Sequence, residues 1–133
     1  MSRYCVDSSA LVKLLVDEEH SGPVRTLLQG AECICSALVL VEVPRVLTRR
    51  RQRDWQDGWR LLRAGLRVVD LGRPVVERAA VLPPAGLRTL DALHLATALI
   101  VGPTDGLVAY DLRLLDAAAA AGLAVQHPGL VRA

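Results

Sequence analysis

The sequence predicts a single α/β domain over residues 1–133, with a central parallel sheet of four to five strands and helices on both faces. Three observations point there. Short apolar runs alternate with stretches of helical spacing along the whole chain, which implies crossover units joining parallel strands. Two of those runs, Tyr4-Cys5-Val6 and Leu107-Val108-Ala109-Tyr110, stop at an aspartate, the pattern of strands delivering a carboxylate to the carboxyl end of a sheet. The chain is 52% apolar and 23% charged, enough to bury one core and too apolar for a disordered segment.

Taken in order, residues 3–7 read as a strand ending at Asp7, after which Ser8 or Ser9 can cap a helix from Ala10 to about Asp17. Gly22-Pro23 opens a second short helix, and residues 32–35 form a second strand. The run Ala37–Val43 has strand-like residues, but its continuation to Gln52 is long enough for a helix, which we expect to be capped by Ser36 and kinked at Pro44. From Asp54 to Arg67 the spacing is helical, with Trp55, Trp59, Leu62 and Leu66 on one apolar stripe. Residues 68–71 suit a strand, 75–82 a short helix closed by Pro83-Pro84, and 89–101 a helix ending before Gly102-Pro103. A strand at 107–110, an alanine-rich helix at 111–121 and a strand at 123–126 complete the pattern.

No apolar stretch approaches the ~18 residues of a membrane span, and Arg3 and Asp7 interrupt any signal-peptide core, so a cytoplasmic location without membrane association is expected. Three cysteines in a chain of ordinary core composition agree with a reducing compartment. Cys33 and Cys35 have no second ligand pair for zinc, and with Cys5 they read as structural thiols. The net charge of +2 conceals an asymmetry. Residues 45–67 hold eight arginines against Asp54 and Asp57, a local +6 that leaves −4 for the remainder. A basic segment beside an acidic remainder suits a polyanion held near carboxylates.

Four acids stand where acids are costly. Asp7 and Asp111 end apolar strands, although each also suits a helix N-cap. Glu42 lies within Leu38-Val39-Leu40-Val41-Glu42-Val43, where an exposed pairing with Arg45 is too weak to explain it. Asp91 falls in the first turn of a helix that Thr89 is expected to cap. Carboxylates sharing one crevice repel and need cations, and an all-oxygen donor set selects Mg²⁺ or Mn²⁺. Such an ion activates water toward a phosphodiester without a serine or histidine nucleophile.

The segments V-D-S-S-A at 6–10, S-A-L-V-L-V-E-V at 36–43, L-D-A-L-H-L-A-T-A at 90–98 and V-A-Y-D-L-R-L at 108–114 resemble the PIN-domain family, specifically the VapC-type toxins of bacterial toxin–antitoxin pairs. The resemblance runs over essentially the whole chain with order and spacing kept. It implies a ribonuclease whose four acids, here Asp7, Glu42, Asp91 and Asp111, hold Mg²⁺ or Mn²⁺. It also implies a homodimer and a cognate VapB-like antitoxin whose C-terminal segment blocks the site. Many relatives carry Thr or Ser two residues before the last acid, where this chain has Ala109.

Around that centre, Ser9 suits either a helix cap or a contact to the metal shell or phosphate. Taking Glu42 as zero on a helix, Arg45, Arg49 and Arg53 fall at about 300°, 340° and 20°, one face that can lead RNA phosphates to the acid. His94 reads as a packed, hydrogen-bonded histidine, Asp116 as helix surface, and Trp55 and Trp59 as core or dimer contacts. Two other enzyme classes collect acids at strand ends. A phosphoacceptor receiver needs a lysine near its aspartate, but the one lysine, Lys13, lies on the first helix. A haloacid-dehalogenase-type phosphatase needs a second Asp where Ser9 stands. The remaining alternative is a catalytically weak PIN-like module that binds RNA or a partner.

Overall fold

The computed structural model describes residues 1–132. The elements, in chain order, are β1 (Arg3–Val6), α1 (Ser8–Leu15), α2 (Ser21–Leu28), β2 (Glu32–Ser36), α3 (Val39–Arg49), α4 (Gln56–Ala64), β3 (Arg67–Val69), α5 (Arg73–Ala80), α6 (Thr89–Ile100), β4 (Leu107–Val108), α7 (Leu112–Ala120) and β5 (Val125–Gln126). All five strands are parallel, in the order β3-β2-β1-β4-β5. The expected α/β architecture is therefore present, with the upper strand count.

The side chains of each strand alternate between two cores, as a pleated strand buried on both faces must. Tyr4, Val6, Cys33, Cys35 and Val108 enter the core beneath α1, α2, α3 and α4. Cys5, Ile34, Leu107 and Ala109 enter the opposite core, against α6 and α7, while α5 packs on α6. The three cysteines are free and buried, and burial raises the Cys5 thiol to about 11 and the Cys35 thiol to about 12. They are inert structural thiols, as expected. Trp59 is buried in the first core with Trp55, Leu62 and Leu66 packed against it, so the tryptophan stripe is core.

The order of the sheet fixes where ligands can go. From β1 the chain moves outward to β2 and β3, then returns to β4 on the other side of β1, so the winding reverses between β1 and β4. In open parallel sheets the crevice beyond the carboxyl ends of such a strand pair is the ligand site. β4 lies close against its neighbour through Gly106, whose φ of +139° suits glycine and where a Cβ would stand 2.8 Å from the Ala124 carbonyl oxygen.

Four local expectations are corrected. Asp7, not Ser8 or Ser9, caps α1: its backbone is extended and its carboxylate accepts from the Ala10 N–H, whereas both serines are already helical. Helix α3 begins at Val39 rather than directly after Ser36, because Ser36 is still paired to Val69 in the sheet and a turn intervenes. Thr89 does not cap α6; the extended residue before the helix is Arg88, whose side chain is engaged elsewhere. Arg53 is not on α3, which stops at Arg49; Arg51 and Asp54 both have φ of 54° and redirect the chain, so the proposed arginine arc keeps only Arg45 and Arg49.

Candidate active site

Each of the four acids stands at the N-terminal end of a helix. Asp7 is the N-cap of α1 and Asp111 the N-cap of α7, directly after the two strands that flank the reversal. Glu42 lies in the first turn of α3 and Asp91 in the first turn of α6. Helix N-termini carry unpaired N–H groups and partial positive charge, each worth about 0.3–1 kcal/mol to a nearby anion. Four such ends offset part of the repulsion among carboxylates gathered at one crevice. Capping and the expected site role are therefore compatible in Asp7 and Asp111, because each cap uses only one carboxylate oxygen.

The deep half of the crevice is built on Asp7, Glu42 and His94. Asp7 is 6% exposed, and its Oδ1 accepts from the Ser9 hydroxyl at 2.7 Å and the Ala10 N–H at 3.0 Å. Among the described residues no hydrogen bond reaches its Oδ2, and no buried side-chain polar atom is left without a partner, so that oxygen keeps some access to solvent. Burial pushes the Asp7 carboxyl above its ordinary range despite the nearby His94 charge and the two hydrogen bonds. Glu42 Oε1 accepts from Ser8 Oγ at 2.7 Å and meets His94 Nε2 at 2.6 Å. Partial burial works to raise Glu42, but those two bonds and the charges of His94 and Arg88 outweigh it and hold the carboxyl low. His94 is 5% exposed; burial opposes its charge, yet the Glu42 bond and the fields of Asp7, Glu42 and Asp91 raise it. The pair is ionic.

The outer half is built on Asp91, Asp111 and Arg88. Arg88 Nε donates to Asp91 Oδ2 at 3.0 Å and Nη2 to Asp111 Oδ2 at 2.8 Å, so one guanidinium ties the start of α6 to the cap of α7. Asp111 Oδ1 accepts from the Arg113 and Leu114 N–H groups, so with Arg88 on Oδ2 both of its oxygens accept hydrogen bonds.

A protein-family model described as "PIN domain" matches residues 4–120. This chain belongs to the PIN-domain family. It is 39% identical to Ribonuclease VapC47 of Mycobacterium tuberculosis (strain CDC 1551 / Oshkosh) over 96% of this chain and 98% of that one. It is 41% identical to Ribonuclease VapC46 of M. tuberculosis (strain ATCC 25618 / H37Rv), over 96% and 99%. Among solved structures it resembles M. tuberculosis VapC20, described as a sarcin-ricin loop cleaving toxin, with a TM-score of 0.72 at 21% identity over 91% and 96% of the two chains. It also resembles VapBC2 from Rickettsia felis bound to a promoter DNA fragment, with a TM-score of 0.69 at 13% identity over 93% and 97%.

Within this PIN domain all four expected acids belong to one electrostatic network: Asp7, Glu42 and Asp91 act on His94, and Arg88 bonds Asp91 and Asp111 while its charge reaches Glu42. As the side chains stand, no group of three or more His, Cys, Asp or Glu among the described residues is drawn together tightly enough to hold a metal ion. The partners of the carboxylates here are the His94 ring and the Arg88 guanidinium instead. The donor chemistry still suits a hard dication, because the set is all carboxylate and Asp7 Oδ2 accepts no hydrogen bond among the described residues.

Ser9 neither caps nor lies free, since its hydroxyl is spent on Asp7. Arg45 and Arg49 line a shallow groove of about 360 Å³ with Pro44 and Thr48, and among the described residues neither has a carboxylate partner. Asp116 is surface, paired at 2.9 Å with Arg132. Ala109 is fully buried in the apolar core beside α7. The residues missed from sequence are Ser8 and Arg88. Arg88 precedes Asp91 by three positions, a spacing that was available as a signal. Ser8 could not be told from Ser9.

Proposed function

We propose that this chain is the toxin of a toxin–antitoxin pair and an endoribonuclease that hydrolyses RNA phosphodiesters with the help of Mg²⁺ or Mn²⁺. The observation that carries the reading is the placement of four carboxylates, each at a helix N-terminus, around His94 and Arg88, in a chain about 40% identical over nearly its full length to proteins named VapC ribonucleases. Asp7, Glu42, Asp91 and Asp111 are the residues that would hold the cation. Once bound, it would supply Lewis acidity to make water nucleophilic and to offset charge on the phosphodiester.

The protein's own contribution is orientation. The α1 cap fixes Asp7 with Oδ2 outward, and Ser8 and His94 fix Glu42. Arg45 and Arg49 on α3 bind backbone phosphates next to the acids, reading charge rather than bases. The partners belonging to this reading are single-stranded or loop RNA, a VapB-like antitoxin and a second copy of the chain, in the cytoplasm. Among the described residues no helix is long and apolar enough to cross a membrane.

Cleavage of a labelled RNA panel with Mg²⁺ or Mn²⁺, then with EDTA, tests the activity. The expected result is cutting that EDTA abolishes and that Asp7→Asn lacks while still binding RNA. RNA binding without cutting under every condition would instead favour the non-catalytic binding module.

A further inference from the structure

Arg88 is the residue of the crevice that neither the fold nor the four-acid reading requires. Its side chain is 61% exposed, yet it bonds one oxygen of each outer carboxylate, Asp91 Oδ2 and the Asp111 Oδ2 that the α7 cap leaves over, while Asp91 Oδ1 accepts no hydrogen bond among the described residues. Both oxygens of Asp111 consequently accept hydrogen bonds, and a cation there would have to compete with the Arg88 charge. In the deep half, Asp7 Oδ2 likewise accepts no hydrogen bond among the described residues. A guanidinium and a hard dication cannot share the same two lone-pair sites. Exposed ion pairs are individually weak, so this one is displaceable. Once displaced, the side chain keeps its charge and its planar donor fork at the crevice mouth, a group suited to bidentate contact with phosphate.

We propose that Arg88 exchanges partners: in the cation-free chain it closes the outer carboxylates, and when a divalent cation takes them it turns to a backbone phosphate of the RNA. The exchange rests on the ribonuclease reading above and assigns a positioning residue to that site. It makes cation and RNA binding mutually supportive, because each removes a competitor of the other.

Calorimetric titration of Mn²⁺ into the full chain without RNA tests the first half. Arg88→Gln should bind Mn²⁺ about threefold to tenfold more tightly than the unaltered chain, the factor set by two ion pairs made by one exposed guanidinium. Arg113→Gln removes a nearby positive side chain that makes no contact with the acids, and should leave the affinity unchanged; equal tightening there would reduce the effect to overall charge and overturn the exchange. The second half is read from binding of a labelled single-stranded RNA, in Ca²⁺ with its intactness checked on a gel, and in EDTA. With Ca²⁺, Arg88→Gln should weaken binding and lower the salt slope by about 0.7, and Arg88→Lys should restore the slope; in EDTA the unaltered and Arg88→Gln chains should have the same slope. An Arg88→Gln chain with unchanged Mn²⁺ affinity, or with unchanged slope in Ca²⁺, overturns the exchange and leaves the ribonuclease reading standing. Absence of Mn²⁺ binding in both the unaltered chain and Arg88→Gln overturns both.

Discussion

The two halves of the crevice solve the same problem, negative charge gathered in one place, with different materials. In the deep half a histidine that is almost fully buried pairs with Glu42, and Asp7 is locked by a helix cap and a serine. In the outer half an exposed, flexible guanidinium spans two carboxylates. Buried partners are costly to remove because the remaining charge is stranded, whereas exposed partners are cheap to exchange. The deep half is therefore preorganised and the outer half exchangeable, and substitutions in the two should have different signatures.

The largest effect should come from Asp7→Asn. Cleavage is expected to fall by about 10²–10³-fold or more, the scale of losing a group that acts directly on developing charge. Stability should move the opposite way. The folded-state value of Asp7 is raised above its unfolded 3.8, so its burial destabilises the chain progressively as pH rises above 3.8. Asparagine keeps the cap without the charge, and thermal unfolding at neutral pH without cation should show a gain of about 1–2 kcal/mol.

Glu42→Gln comes next, with a cost of about 1–3 kcal/mol from leaving the buried His94 without its anion. Its pH profile has two limits. Glu42 is held below its ordinary 4.5, so its contribution is complete above 4.5 and is lost as pH falls through the lowered value. His94 is held above its ordinary 6.5, so its contribution is complete below 6.5 and is lost as pH rises through the raised value. Denaturant midpoints should thus separate the unaltered chain from Glu42→Gln most widely between pH 4.5 and 6.5.

Charge reversal at Arg49 should leave folding intact, weaken RNA binding and lower the salt slope of affinity by about one unit. An unchanged slope would assign the exposed face of α3 to a protein partner. The smallest effect should be that of Asp116→Asn, which loses only an exposed pair with Arg132 and should alter neither cleavage nor cation affinity. A large loss there would extend the site beyond the two halves.

The same contrast explains what was legible in the sequence. The fold was readable because every strand is a short apolar run between helical segments, and Asp7, Glu42 and Asp91 stood out because carboxylates among apolar residues need a reason. Arg88 did not stand out, being one exposed arginine among fifteen. The cap of α1 was misassigned because Asp7, Ser8 and Ser9 all have capping side chains and only the backbone angles decide which residue is extended. Arg53 was placed on α3 because periodicity alone does not reveal where a helix stops; the left-handed Arg51 and Asp54 have no glycine to announce them.

The two halves are expected to form one cation site. Anomalous scattering from crystals of the full chain grown with Mn²⁺ tests it directly. The account predicts a peak bonded to Asp7 Oδ2, shared with carboxylates of the outer half, with Arg88 withdrawn from Asp91 and Asp111. No peak in the crevice, with Arg88 still spanning those two acids, would contradict it.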